Sequence, residues 1–436
     1  MRILRGRTLS FFRRPEGLHD QASYTYREDG ALLISGGMII AEGDYSAIAK
    51  ANPEAAVTDH RPHLILPGFI DPHLHFPQMQ VIASFGTRLI EWLNTYTFPE
   101  EMRFADKAHG NRIADQLFTT LITNGTTTAA AYCTSHPNSV DAFFEAAAAR
   151  NMRMIGGKVL MDRNAPAGLL DTPKSAHEDT LALAVKWHGK GRALYAVTPR
   201  FAITSTPEQM EVTQHLVKAL PDCYVQTHLG ETPEEIAFAT SLFPEAPDYT
   251  GIYEAYGLLG PKTLLGHCIH LTDREVETIA ATKSVAVSCP TSNLFLGSGL
   301  FPRQRLLDHN VRIALATDIG GGTSYSMLRT LDEFYKVLQL GREVHDPINA
   351  FYQVTRGNAE SLGLAHKIGT LEAGTEADIV VLNANATPPM ALRMERASTL
   401  AEELFVLQTL GDDRAVVETY VAGVRMKISR DSGLTL

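Results

Sequence analysis

Between about residue 64 and residue 318 the chain alternates short runs of β-branched and apolar residues with longer amphipathic stretches, the rhythm of repeated βα units around a parallel sheet. The apolar runs predict strands over Leu64–Asp71, Thr126–Tyr132, Met154–Leu160, Leu194–Thr198, Cys223–His228, Thr263–His267, Ser284–Ser288 and Arg312–Thr317. Eight such units are what a closed barrel requires. Helix starts are readable at Ser175 with Glu178 and at Thr272 with Glu275, where capping-box spacing lets each pair satisfy the open amides of a first turn. After the last run, Met327, Leu328, Leu331, Phe334, Val337 and Leu338 recur at helical spacing and predict a helix with that stripe against the barrel.

The two ends follow another pattern. Ala31–Gly37, Ala377–Leu382, Val416–Val421 and Gly423–Met426 read as short strands punctuated by glycine, which predicts a small β domain drawn from both termini. The expected fold is therefore α/β: a TIM-like (β/α)8 metallo-hydrolase barrel over 66–365, with a small β-sandwich domain built from 1–65 and 366–436. No internal repeat or low-complexity stretch interrupts this plan.

Composition narrows the partners. With 44% hydrophobic and 20% charged residues the chain has ample material for a core. A formal charge of −10 argues against a nucleic-acid backbone or an anionic membrane surface, either of which calls for a basic face, and leaves a small neutral substrate. Met1-Arg2-Ile3-Leu4-Arg5 leads into polar sequence, and no apolar run is long enough to span a bilayer, so the expected location is the cytoplasm. Cys133, Cys223, Cys268 and Cys289 lack CxxC spacing and read as free thiols.

The sharpest local feature is Pro67-Gly68-Phe69-Ile70-Asp71-Pro72-His73-Leu74-His75, which closes the first apolar run. Residues two apart on a strand share a face, so His73 and His75 point the same way and can bind one ion. Spacing alone is weak: 16 histidines in 436 residues give about 0.6 such pairs by chance. The other candidates strengthen it, because His228, His267 and Asp318 end the fifth, sixth and eighth runs, and a barrel gathers its C-terminal strand ends at one mouth. Nitrogen and oxygen ligands without thiolate favour zinc, with ferrous iron compatible with the same donors. The opposing interpretation is a set of separate core histidines with Asp318 capping the next helix. His60, His63, His136 and His270 fall away from strand ends and read as ordinary structural histidines. Glu231, three residues past His228, is either a proton carrier at the mouth or an acid before the helix of Thr232-Pro233-Glu234-Glu235, and on sequence grounds the two stand level.

These residues resemble the amidohydrolase superfamily, and within it the guanine deaminases. The likeness spans nearly the whole chain and includes Leu89–Pro99, Lys158–Pro166, Thr198-Pro199-Arg200-Phe201 and Cys289–Gly299. It implies a hydrolase that converts guanine to xanthine and ammonia, acts as a homodimer, and holds one zinc per subunit through His73, His75, His228, His267 and Asp318. It further implies catalytic parts for Glu231, Asp318 and His267, and a purine pocket of Gln78, Arg200 and Phe201 that His228 and Glu231 also face. Two-metal members of the superfamily carry a carboxylated lysine at the end of strand four; here that strand ends Val197-Thr198-Pro199-Arg200, so one metal is expected. The HxE and PCxxC signature of the other zinc deaminase fold is absent. Trp92 and Tyr96–Pro99 are candidates for a wall or lid over the base, or for simple packing on the rim. Rival readings are an aminohydrolase acting on a triazine, pterin, 8-oxopurine or adenine-type ring, a cyclic-amide hydrolase, and a barrel kept as a non-catalytic scaffold.

Overall fold

A computed structural model describes residues 1–86 and 88–427. The chain opens with β1 (Arg2–Phe11), β2 (Tyr24–Ser35), β3 (Met38–Asp44) and β4 (Ala56–Pro67), and turns at Gly68 into β5 (Phe69–His75). There follow β6 (Thr126–Tyr132), β7 (Arg153–Gly157), β8 (Val159–Leu160), β9 (Leu194–Pro199), β10 (Tyr224–Leu229), β11 (Thr263–His267), β12 (Val285–Ser288) and β13 (Arg312–Leu315). The chain then returns through β14 (Ile379–Leu382), β15 (Val416–Val421) and β16 (Val424–Arg425).

One sheet runs from β5 through β6, β7, β9, β10, β11 and β12 to β13, with every pair parallel and helices between, and β8 continuing beside β9. This is the TIM-like barrel. Its strands are near-continuous apolar runs because both faces are covered; all seven residues of β5 and all seven of β6 are buried. The seam between β13 and β5 is closed by single bonds rather than a ladder: Asp318 N–H donates to the His73 carbonyl at 2.9 Å, and Thr317 N–H donates to the Asp71 carboxylate at 3.1 Å. The predicted stripe Met327, Leu328, Leu331, Phe334, Val337 and Leu338 is buried on the helix Met327–Leu340.

The second sheet draws on both ends of the chain in the order β16-β15-β14-β4-β1-β2-β3, seven strands, with β1 and β4 parallel and the other neighbours antiparallel. Arg153 and Arg192 tie it to the barrel: Arg153 Nε donates to Glu376 at 2.9 Å and Arg192 Nη1 to Asp378 at 3.1 Å, just ahead of β14. Between β14 and β15 the chain forms the helices Pro388–Met394 and Leu400–Leu410, and Phe405 on the latter meets Tyr335 edge to face at 5.1 Å. Among the described residues no helix is long and apolar enough to cross a membrane.

Three local expectations are corrected. The run Leu64–Asp71 is two strands in two sheets, split at Gly68, where a side chain's first carbon would sit 2.3 Å from the Thr127 hydroxyl oxygen. The run Met154–Leu160 is interrupted at Lys158, so its last two residues pair with β9 as a separate strand. The helix expected to begin at Ser175 begins at Pro173 instead, capped by the Thr172 hydroxyl, with Ser175 as the reciprocal partner and Glu178 outside the box. Proline at the first helical position explains the shift, since its fixed φ and missing N–H suit that place. Thr272 with Glu275 forms the predicted box.

Candidate metal centre

His73 and His75 share one face of β5 near its end. Gly266 lies under the His73 ring, where a Cβ would approach His73 Cε1 to 2.6 Å, so β11 passes close only because that position has no side chain. His228 is the penultimate residue of β10, His267 is the last of β11, and Asp318 lies three positions beyond β13. The barrel brings them together. Asp318 Oδ1 is 3.4 Å from both His73 Nε2 and His75 Nε2, Asp318 Oδ2 is 3.8 Å from His267 Nε2, and the Nε2 atoms of His75 and His228 are 3.1 Å apart.

Hydrogen bonds behind the rings set which nitrogen faces inward. His228 Nδ1–H donates to the Arg200 carbonyl at 2.7 Å and His267 Nδ1–H donates to Asn293 Oδ1 at 2.9 Å, which leaves each Nε2 with a lone pair turned toward the centre. His73 is fully buried with neither ring nitrogen bonded to a protein partner. Orphaned imidazole nitrogens in a dry site are costly unless something absent from the polypeptide meets them. One atom each from His73, His228 and His267 lies within 4.8 Å of the others, and the same holds for His73, Cys289 and Asp318. Cys289 is a poor donor, because burial drives its thiol pKa well up and its Sγ–H points to the Val287 carbonyl. The imidazoles and Asp318 thus form a donor set suited to a divalent cation.

The electrostatics agree at three of the imidazoles and differ at His267, where burial is outweighed by the charges of Glu231 and Asp318 and the pKa is raised. Burial lowers the pKa of His73, His75 and His228, so they stand as neutral ligands. For Asp318 burial works upward, yet the surrounding imidazoles, His73 foremost, hold the carboxylate down at about 2. His267 and Asp318 both adopt left-handed backbone, φ +73° and +53°, a conformation that side-chain-bearing residues keep only where the surroundings impose it.

Glu231 lies between metal centre and cavity. Its Oε2 is 3.3 Å from His267 Nε2, its Oε1 accepts from Ser298 Oγ at 2.8 Å, and the side chain is nearly buried. Burial, joined by the negative charge of Asp318, pushes its pKa up against the pull of His267. It is not itself the helix cap: Thr232 and Glu235 form that capping box, and Glu235 accepts the Glu231 N–H at 2.7 Å.

A cavity opens beside these groups. His75, His228, His267, Glu231 and Asp318 line one side, Gln78, Arg200 and Phe201 another, and Leu89, Trp92 and Leu93 an apolar wall. Of the lid candidates, Trp92 is in that wall, its indole N–H donating to the Ser84 carbonyl at 3.2 Å. Among the described residues Tyr96 to Pro99 do not line it, although the Phe98 ring lies 5.2 Å below the Arg200 guanidinium.

Several site residues were not anticipated. Glu101, fully buried, accepts from Gln78 Nε2 at 3.0 Å and from Arg200 Nη1 at 2.9 and 2.7 Å. Asn293 and Ser298 hold His267 and Glu231. Asp71, which burial raises to about 7, receives the Thr317 amide and hydroxyl and so sets the approach of Asp318. Tyr132 stacks on His75 at 4.5 Å. By contrast, His60 bonds the Tyr420 hydroxyl, His136 the Thr134 hydroxyl and His270 the Ser298 carbonyl, all outside the cluster.

Residues 64–426 match the profile of the amidohydrolase family. The chain belongs to that family. This amidohydrolase is 45% identical over 425 residues to the guanine deaminase of Escherichia coli strain K12, covering 97% of each. It superposes on the solved E. coli guanine deaminase with a TM-score of 0.95 at 44% identity, covering 98% of this chain and 99% of that one. A second solved relative, guanine deaminase from C. acetobutylicum with guanine bound in its active site, gives a TM-score of 0.86 at 29% identity, covering 98% and 99%. β9 ends in Pro199, with no lysine at that end, and the fully buried Lys158 is paired instead with the part-buried Asp171 at 2.5 Å.

Proposed function

We propose that this chain is a guanine aminohydrolase, converting guanine and water to xanthine and ammonia with one zinc ion per subunit, as a cytoplasmic homodimer. The observation that carries the reading is the convergence of His73, His75, His228, His267 and Asp318 beside a cavity edged by Gln78, Arg200 and Phe201. Likeness to guanine deaminases along 97% of the chain supports the substrate.

A zinc ion in this donor set would supply a water acidic enough to attack at neutral pH. The chain's own residues do the rest. Guanine lies against Phe201, with its carbonyl toward the Arg200 guanidinium and Gln78 at the ring edge, so that C2 faces the metal centre. Asp318, kept ionised, takes a proton from the attacking water. Glu231, whose raised pKa favours the acid, protonates the ring nitrogen beside C2 and then passes protons to the departing amine. The C2–N bond breaks, and oxygen from water remains on C2.

The test is ammonia release over a panel of guanine, adenine, 8-oxoguanine and an aminotriazine. Guanine is expected to be turned over well ahead of the others. Preference for adenine or the triazine, or no release from any ring, would overturn the proposal.

A further inference from the structure

Against the Gln78 and Arg200 side chains of the pocket lies a buried carboxylate that the proposed chemistry leaves without a part. Glu101 lies on the short helix Phe98–Met102, and its carboxylate is the shared acceptor for Gln78 and Arg200. A carboxylate cannot donate, so the amino end of Gln78 must face it. The other end of the same amide is also committed, since Gln78 Oε1 accepts the Gly320 N–H at 3.2 Å. A flip of the amide would set oxygen against the Glu101 carboxylate and NH2 against the Gly320 N–H. The result is one permitted orientation. Arg200 in turn uses Nη1 for Glu101, which, with Phe98 beneath the guanidinium, holds its plane and leaves its other N–H groups for the cavity it lines.

From this geometry we infer that Glu101 is a positioning residue for ring specificity: it makes the edge of the pocket formed by Gln78 and Arg200 a donor-only edge. Such an edge accepts a ring that presents acceptors there, an oxo group and unprotonated ring nitrogens. It rejects a ring with an exocyclic amine in the same place, because two donors then face each other in a buried site. This rests on the reading that the pocket takes guanine, and it adds what distinguishes an oxo-purine from its amino and unsubstituted counterparts.

The experiment compares kcat/KM for guanine, 2-aminopurine, which lacks the carbonyl, and 2,6-diaminopurine, which replaces it with an amine, in the zinc-loaded wild type and in Glu101→Gln. A neutral amide at 101 can donate as well as accept, so it removes one of the two constraints on the Gln78 amide, leaving only the Gly320 N–H, and removes the charge that holds Arg200. The guanine preference over both other rings is expected to contract by roughly 10- to 100-fold, the worth of one charge-assisted hydrogen bond, with zinc content unchanged. Equal losses on all three rings would make Glu101 merely structural and overturn the inference, as would an unchanged preference. Should Glu101→Gln not fold, Glu101→Asp keeps the charge but shortens the reach by one methylene, and the same contraction is read. A wild type that deaminates none of the rings would overturn the functional reading itself, a result distinct from an active wild type whose preference survives the substitution.

Discussion

Replacing Asn293 by alanine tests whether His267 is a metal ligand. Both residues are buried, and the bond that turns His267 Nε2 toward the metal centre is its Nδ1–H donated to Asn293 Oδ1 at 2.9 Å. Without that acceptor two states are open to the ring. It can keep the proton on Nδ1 and leave a buried donor unsatisfied, at a cost of about 1–3 kcal/mol. Or it can move the proton to Nε2, the atom 3.3 Å from Glu231 and 3.8 Å from Asp318, where a protonated nitrogen cannot ligate. Either way the lone pair offered to the metal becomes less available, and the expected loss of zinc affinity is roughly 10- to 100-fold. Competition against a chromophoric chelator measures it directly, with Asn293→Asp as the control that restores an acceptor in the same place. Asn293→Ala binding zinc within threefold of wild type would refute the reasoning, because His267 would then not depend on the bond that orients it.

Glu231→Gln is expected to keep metal and fold while losing about 100- to 10,000-fold in kcat, checked by steady-state kinetics alongside metal analysis; near-normal turnover would remove Glu231 from the mechanism. His75→Ala should lose both zinc and activity, and elemental analysis of the purified variant reads the first independently of the second. Away from the site, His60 sets a pH dependence. Burial lowers its pKa from the ordinary 6.5 to about 4, so the folded ring stays neutral where the unfolded one takes a proton. Its contribution is therefore whole above pH 6.5 and declines as pH falls toward 4, amounting to about 2 kcal/mol between pH 7.5 and pH 5. Urea midpoints at the two pH values should fall less in His60→Gln than in wild type, and equal falls would contradict the assignment.

Much of the barrel was legible because parallel strands covered on both faces must be continuously apolar, and Thr126–Tyr132 and Thr263–His267 coincide with β6 and β11 residue for residue. The same uniformity hid the break at Gly68. Leu64–Pro67 and Phe69-Ile70 are equally apolar, and only the approach of Thr127 shows that the chain changes sheet there. The histidines and Asp318 could be collected in advance because the barrel rule assigns strand ends to one mouth whatever their separation in sequence. Residues that orient them could not. Glu101 in Phe98-Pro99-Glu100-Glu101 looks like an ordinary first-turn acid, and its partners Gln78 and Arg200 lie 23 and 99 residues away. Asn293 and Ser298 sit in a segment that stood out by resemblance, but their pairing with His267 and Glu231 is a product of tertiary approach. A signal was present in one case: Asp71, inside an apolar run two residues before His73, is a carboxylate that only a nearby donor could justify.

Deamination of guanine is assigned to the metal centre at the barrel mouth. Following xanthine and ammonia from guanine, before and after removal of metal by a chelator and again after zinc is restored, tests it most directly. The two products are expected in equal amounts, with loss of both on removal of the metal and recovery on adding zinc. Undiminished turnover in verified metal-free protein, or zinc-loaded protein that leaves guanine untouched, would contradict it.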